Sequence, residues 1–135
     1  MKIPVAFVAD EANLSADGKL NVLGIFDRIA AATFPTIHPK MVFAFRVHAE
    51  YADAEHRFAV RVRLMDEDGG VIFEANGEIV PPTVNPGEFS IANQVFTLVG
   101  VQFGRPGSYK FVVTADEAEL HETPFMVQQA KEPGE

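Results

Sequence analysis

The chain has 135 residues, 47% of them apolar and 22% charged, with a formal charge of −8. That is enough chain for one domain with its own core, and the acidic balance argues against a nucleic-acid backbone or an anionic membrane as the main partner, since the far field repels both. With no cysteine, disulfides, thiolate metal sites and thiol nucleophiles are excluded.

At the N-terminus one Lys precedes a short apolar run that stops at Asp10-Glu11. It lacks the longer apolar region and cleavage site of a signal peptide, so residues 3–10 read as a first strand. No run approaches the ~20 apolar residues that a membrane helix needs, and a cytoplasmic location is expected. Ala16-Asp17-Gly18-Lys19 reads as a turn, because Asp bonds its own backbone and Gly accepts positive φ. Residues 20–29 read as a second strand, with Gly24 marking a bulge or a close backbone approach. Phe34-Pro35 and His38-Pro39 bracket a stiff connector. Proline there argues against a central strand, and the connector is expected to carry the chain between sheets.

The strongest pattern spans residues 41–65. Met41, Phe43, Phe45, Val47 and Ala49 alternate with polar residues, as do Phe58, Val60, Val62 and Leu64. A period of two is the mark of a strand with one dry face and one wet face. Joined by residues 51–56, the two runs are expected to pair as an antiparallel hairpin. Its wet side would carry Arg46, His48, Arg57, Arg61 and Arg63, a basic ribbon in an acidic protein. Like charges at cross-strand neighbours are destabilising. They must be neutralised by Glu50, Glu55 or Glu74, the last as a neighbour on the next strand, by a partner protein or by an anion; the functional reading is a docking face for an acidic partner, since Arg is enriched at interface anchors.

Asp66-Glu67-Asp68-Gly69-Gly70 is a hairpin turn by composition, and residues 71–80 form the next strand. A Pro-rich connection follows. Residues 89–103 then alternate as one bent strand or two, with Gly100 as the bend. Gly104-Arg105-Pro106-Gly107 turns into a strand reaching Ala115. The last strand, 120–128, contains Pro124, which suits a sheet edge. Residues 1–129 are expected to be one domain and 130–135 a frayed tail. About eight short strands punctuated by Gly and Pro predict an all-β fold, an antiparallel two-layer sandwich, with a closed barrel as the alternative. The excess of Phe over Tyr and Trp predicts a Phe-rich core.

Two stretches carry a resemblance. Asp17-Gly18-Lys19-Leu20-Asn21, Gly24-Ile25-Phe26-Asp27, Phe34-Pro35 and His38-Pro39, with the later Phe103-Gly104 and Pro106-Gly107-Ser108-Tyr109-Lys110-Phe111, resemble a family of small uncharacterised bacterial proteins over nearly the whole chain. The resemblance implies no catalytic residues. The Pro-Gly-x-Tyr-x-Phe run also looks like the penultimate strand of immunoglobulin-like domains, without their Cys and Trp pin.

Three functions are weighed. The first is a non-catalytic binding or assembly module whose partner is a protein, including a second copy of the chain, with the five basic residues as its contact surface. The second is a loop-mediated ligand site. Asp17, Asp27, Asp66 and Asp68 lie near turns and would offer oxygen ligands to Ca²⁺, helped by Asp10 or Glu11; scarce Tyr and absent Trp count against a sugar ligand. The third is a small enzyme using His38, His121 and Asp27. No nucleophile elbow, phosphate loop or metal-spaced His pair is present, and no cofactor is expected.

Overall fold

The computed structural model describes residues 1–131. Nine strands follow in order: β1 (Lys2–Leu14), β2 (Leu20–Ile25), β3 (Arg28–Ala31), β4 (Thr36–Glu50), β5 (Phe58–Met65), β6 (Val71–Ile79), β7 (Phe89–Phe103), β8 (Gly107–Ala115) and β9 (Ala118–Gln129). They form two stacked sheets, a four-stranded one in the order β2-β1-β4-β7 and a five-stranded one in the order β3-β9-β8-β5-β6. The two-layer β-sandwich is therefore as expected. One pairing departs from the antiparallel rule, because β3 runs parallel to β9. The expected tail lies, from residue 132 on, outside the described residues, while the Ala130 amide donates to the Ala31 carbonyl.

The expected hairpin of 41–49 with 58–64 does not form. β4 sits between β1 and β7 in one layer, and β5 sits between β8 and β6 in the other. The alternation is as expected: Phe43, Phe45, Val60 and Val62 are all buried. What differs is the pairing. Two ladders facing one core from opposite layers bury both dry faces against each other, whereas a β4–β5 hairpin would leave both on one side of one sheet. Residues 51–57 thus arch from layer to layer, through a 3-10 turn at Tyr51–Asp53.

The second strand also divides. The Phe26 amide still donates to the Val8 carbonyl of β1, while the Asp27 carbonyl already accepts from Met126 of β9. The chain changes sheet between these two residues, which accounts for nine strands in place of about eight.

Residues 32–35 carry the chain back to the first sheet, as expected of that connector, but Thr36 onward belongs to a central strand. Pro39 is tolerated for two reasons. The β1 pairing with β4 extends only from His48 to Val42, so β4 is locally an edge. The ladder to β7 skips the position of Pro39 opposite Gly100, whose φ is +65°. The kink resets the alternation. Leu98 and Val101 are buried, while Val99 between them is 75% exposed. Pro124 obeys the same logic: β9 is not an outer strand, but β3 covers it only from Met126 onward.

Core packing is aromatic. Phe43 of β4 stacks on Phe111 of β8 with ring centroids 4.6 Å apart and planes 4° from parallel. Phe45 stacks on Phe96 at 5.8 Å, and Phe125 meets Phe103 and Phe111. Tyr109 packs edge-on to Phe103, and its hydroxyl donates to the Arg105 carbonyl at 2.6 Å, which ties the turn before β8 to the core. Phe43→Ala removes the contact between layers and should destabilise the fold by about 4 kcal/mol, read as a fall in the urea midpoint at unchanged slope.

At the far end of β8 a two-residue turn places Asp116 and Glu117 at φ +49° and +69°. Asp116 is held there by the neighbouring strand. One carboxylate oxygen accepts from the Ala59 amide at 2.9 Å and the other lies 2.8 Å from His56 Nε2. The Ala59 amide first, and His56 second, hold the Asp116 carboxyl below the usual range. A depressed folded pKa contributes stability that is present above the unfolded value and is lost as pH falls through the folded one. Asp116→Asn should therefore be less stable than the parent at about pH 6, and the gap should close towards about pH 3. Urea titrations at several pH values measure it; a gap independent of pH would contradict the role of charge.

Candidate functional site

The two outward faces of the sandwich differ. On the five-stranded sheet, ions are paired. Arg61 Nε lies 3.2 Å and Arg63 Nε 3.5 Å from the two oxygens of Glu74, and Arg61 also donates to Asn76 at 3.0 Å. Arg57 meets Glu78 at 2.8 Å, and Lys110 meets Glu122 at 2.8 Å. Three of the five expected docking residues are thus neutralised by the adjacent strand β6, with Glu74 opposite Arg63 in register. Arg46 and His48 lie on β4, on the opposite layer. The single basic ribbon does not exist, because it depended on the β4–β5 hairpin. These exposed pairs contribute little: a double-mutant cycle between Arg61 and Glu74 should give a coupling of about 0.5 kcal/mol, falling with added salt.

The outward face of the four-stranded sheet is apolar. Cross-strand rows there read Ala9–Val42–Thr97, Phe7–Ala44–Val95 and Val5–Arg46–Asn93. Val42 and Ala44 are fully buried, although they alternate with Met41, Phe43 and Phe45, which face the core. What shields this face is the far half of β1 with β2. This ribbon leaves β4 after Ala9 and doubles back. Its tip returns to the Val5 row, where Asn93 Nδ2 donates to the Gly18 carbonyl at 2.9 Å. The bend falls where Gly24, at φ +74°, presses against Asp10 so closely that a Cβ would overlap the Asp10 carboxylate. Lys40 pairs with Glu11 across the fold.

Between ribbon and sheet lies an open cleft of about 600 Å³. Val5, Phe7 and Ile91 wall it from the sheet, and Leu20 and Val22 from the ribbon. Arg46 and Asn93 stand on its sheet side, Asp17 and Lys19 at the ribbon tip. Arg46 Nε donates to Asn93 Oδ1 at 3.0 Å. Lys19 pairs with Asp17 at 3.1 Å. Two residues along β4, the His48 ring meets Phe89 edge-on at 4.6 Å and its Nε2 is buried without a hydrogen-bond partner. Glu50, Tyr51 and Gly87 join them around a second groove of about 470 Å³.

The expected calcium ligands are placed apart. Asp17 lies in the ribbon tip, its carboxyl held down by Ser15 and then Lys19. Asp27 lies between β2 and β3, paired with Arg28 at 2.8 Å. Asp66 and Asp68 share the β5–β6 turn, where Asp66 Oδ1 accepts from the Asp68 and Gly70 amides at 2.9 and 2.7 Å and Asp68 pairs with Arg105. Among the described residues no three acidic or histidine side chains converge as metal ligands do. Nor do the three residues weighed for catalysis meet. His38 contacts Phe26, His121 bonds Thr123 on its own strand at 3.0 Å, and Asp27 serves Arg28.

Sequence reasoning missed the cleft and the edge strand β7. The cleft needs the ribbon to fold back, and only Gly24 signalled it. The edge was legible in part: all fifteen residues of β7 are uncharged, unusual in so acidic a chain.

Fold and cleft together define an all-β two-layer sandwich with an apolar, partly covered outer face. The chain belongs to DUF6941, a family of unknown function whose model matches residues 4–128. No curated protein matches it. Two solved structures are distantly similar. A β-glucuronidase from glycoside hydrolase family 2 is 13% identical over 68% of this chain and 11% of its own, with a TM-score of 0.46. The alkylpurine DNA glycosylase AlkC of Pseudomonas fluorescens, bound to DNA containing an abasic site analog, is 10% identical over 91% of this chain and 30% of its own, with a TM-score of 0.48. The chain spans less than a third of either protein, and likenesses this weak carry no functional argument. No described helix is long and apolar enough to cross a membrane.

Proposed function

We propose that the protein is a non-catalytic assembly module of the cytoplasm acting through protein–protein contacts, and that its contact element is the free edge of β7, paired with the same edge of a second copy. The observation that carries this reading is the edge itself. β7 is fifteen residues long, carries no charge and, among the described residues, pairs only with β4. A long uncharged edge presents unpaired amides and carbonyls to any extended chain.

Charge at the contact permits self-pairing at this edge and opposes it at the other outer strand, β6. In an isologous antiparallel contact each residue meets its own kind or a near neighbour across the two-fold axis. β7 brings no like charges together there, whereas the edge of β6 would oppose Glu74 and Glu78 with copies of themselves. Phe89 and Val99, 59% and 75% exposed, would be covered in part by the partner. The absence of cysteine fits a reducing compartment.

Sedimentation across a concentration series tests the proposal. The parent should sediment at twice the monomer mass. Thr97→Lys with Val99→Lys, both at exposed positions, should sediment as monomer, while Arg61→Glu with Arg63→Glu should leave the dimer intact. A parent that stays monomeric up to about 1 mM, the range of the weakest specific contacts, overturns the reading.

A further inference from the structure

We infer that the cleft beneath the β1–β2 ribbon is a binding site for a small amphipathic carboxylate, a single anionic head on an apolar body, with Arg46 as the anion receptor. The inference rests on the cleft and on Arg46, independently of the β7 edge.

The first observation is a charge left over. Of the six arginines in the chain, Arg28, Arg57, Arg61, Arg63 and Arg105 each lie within ion-pair distance of a carboxylate. Arg46 has no such partner among the described residues. In a protein of charge −8 an arginine has acids in plenty to pair with, so one held away from them is a candidate receptor. Lys19 and Asp17, the other charges in the cleft, are paired with each other at 3.1 Å. Arg46 therefore sets the sign of the site.

The second observation is orientation. Asn93 is fixed at one end by donating to the Gly18 carbonyl at 2.9 Å, and its other end accepts from Arg46 Nε at 3.0 Å. The relay uses one edge of the guanidinium and leaves its two terminal amino groups for a ligand. A planar fork with both amino groups available matches the two oxygens of a carboxylate. An arginine already held by a neighbour loses less freedom on binding than a loose one.

The third observation is the wall. Phe7, Val5 and Ile91 face Leu20 and Val22 across about 600 Å³, within the range of sites that hold small ligands. Apolar walls with one convergent charge suit a ligand of the same pattern. A compact polyanion would lack contact with the walls and would meet the repulsion of the whole protein.

Calorimetric titration with octanoate, octanamide and octylamine tests the site. These probes share an apolar chain and differ in the charge of the head. Octanoate should bind at least about tenfold more tightly than octanamide, a difference set by the charged head, and octylamine should be the weakest. Arg46→Gln should remove the preference for octanoate over octanamide, while Arg61→Gln, on the other sheet, should leave that preference intact. Asn93→Ala should lower the preference for octanoate and shift the Arg46 Nε–H resonance, as befits a positioning residue. Equal binding of octanoate and octanamide, an unaltered preference in Arg46→Gln, or no saturable binding by any probe up to about 10 mM overturns the inference.

Discussion

The contact on which the other arrangements depend is the face-to-face stack of Phe43 on Phe111, with ring centroids 4.6 Å apart. It joins the centre of one sheet to the centre of the other. Each ring lies on a strand flanked on both sides, β4 by β1 and β7, β8 by β9 and β5. Once these rings meet, both ladders of alternating apolar residues must turn inward from opposite layers. The charged residues between them are then divided between two distant surfaces.

That division gives the molecule its asymmetry. The five-stranded sheet presents paired ions to water. The four-stranded sheet presents apolar rows, a doubled-back ribbon, an arginine without an acid and an edge without a partner strand. The arginine without an acid and the long uncharged edge thus lie on one layer, whereas the β6 edge of the other carries Glu74 and Glu78. Interaction is expected where a surface has hydrogen bonds, charge and apolar area still to satisfy.

The fold class and its apolar ladders could be read from the sequence because a period of two reports which face of a strand is dry. The same period does not report which strand lies beside it. Period alone therefore puts Arg46 and Arg61 on one ribbon, although they belong to different layers. Glu74 was legible as a counter-ion because it follows a two-glycine turn from the strand it neutralises, a local relation. The break at Phe26-Asp27 was hidden because both halves of residues 20–29 have strand character, and the change of sheet is decided by which distant neighbour supplies the bonds. Gly24 and Gly100 were the honest local signals, and each marks a real bend. What they could not convey was direction, so the fold-back of the ribbon and the cleft it creates appear only in three dimensions.

The arch over residues 51–57 has a consequence for how the chain reaches this state. By sending β4 and β5 to different layers, it leaves β4 without its neighbour in sequence. Its mate β7 begins only at Phe89, so the central ladder of that sheet must wait for a large loop to close. Topologies dominated by such non-local pairing acquire their native contacts over milliseconds to seconds. During that interval β7, long and uncharged, has neither edge occupied. Refolding at high protein concentration should accordingly compete with association of that one segment, and the yield of soluble material should rise on dilution.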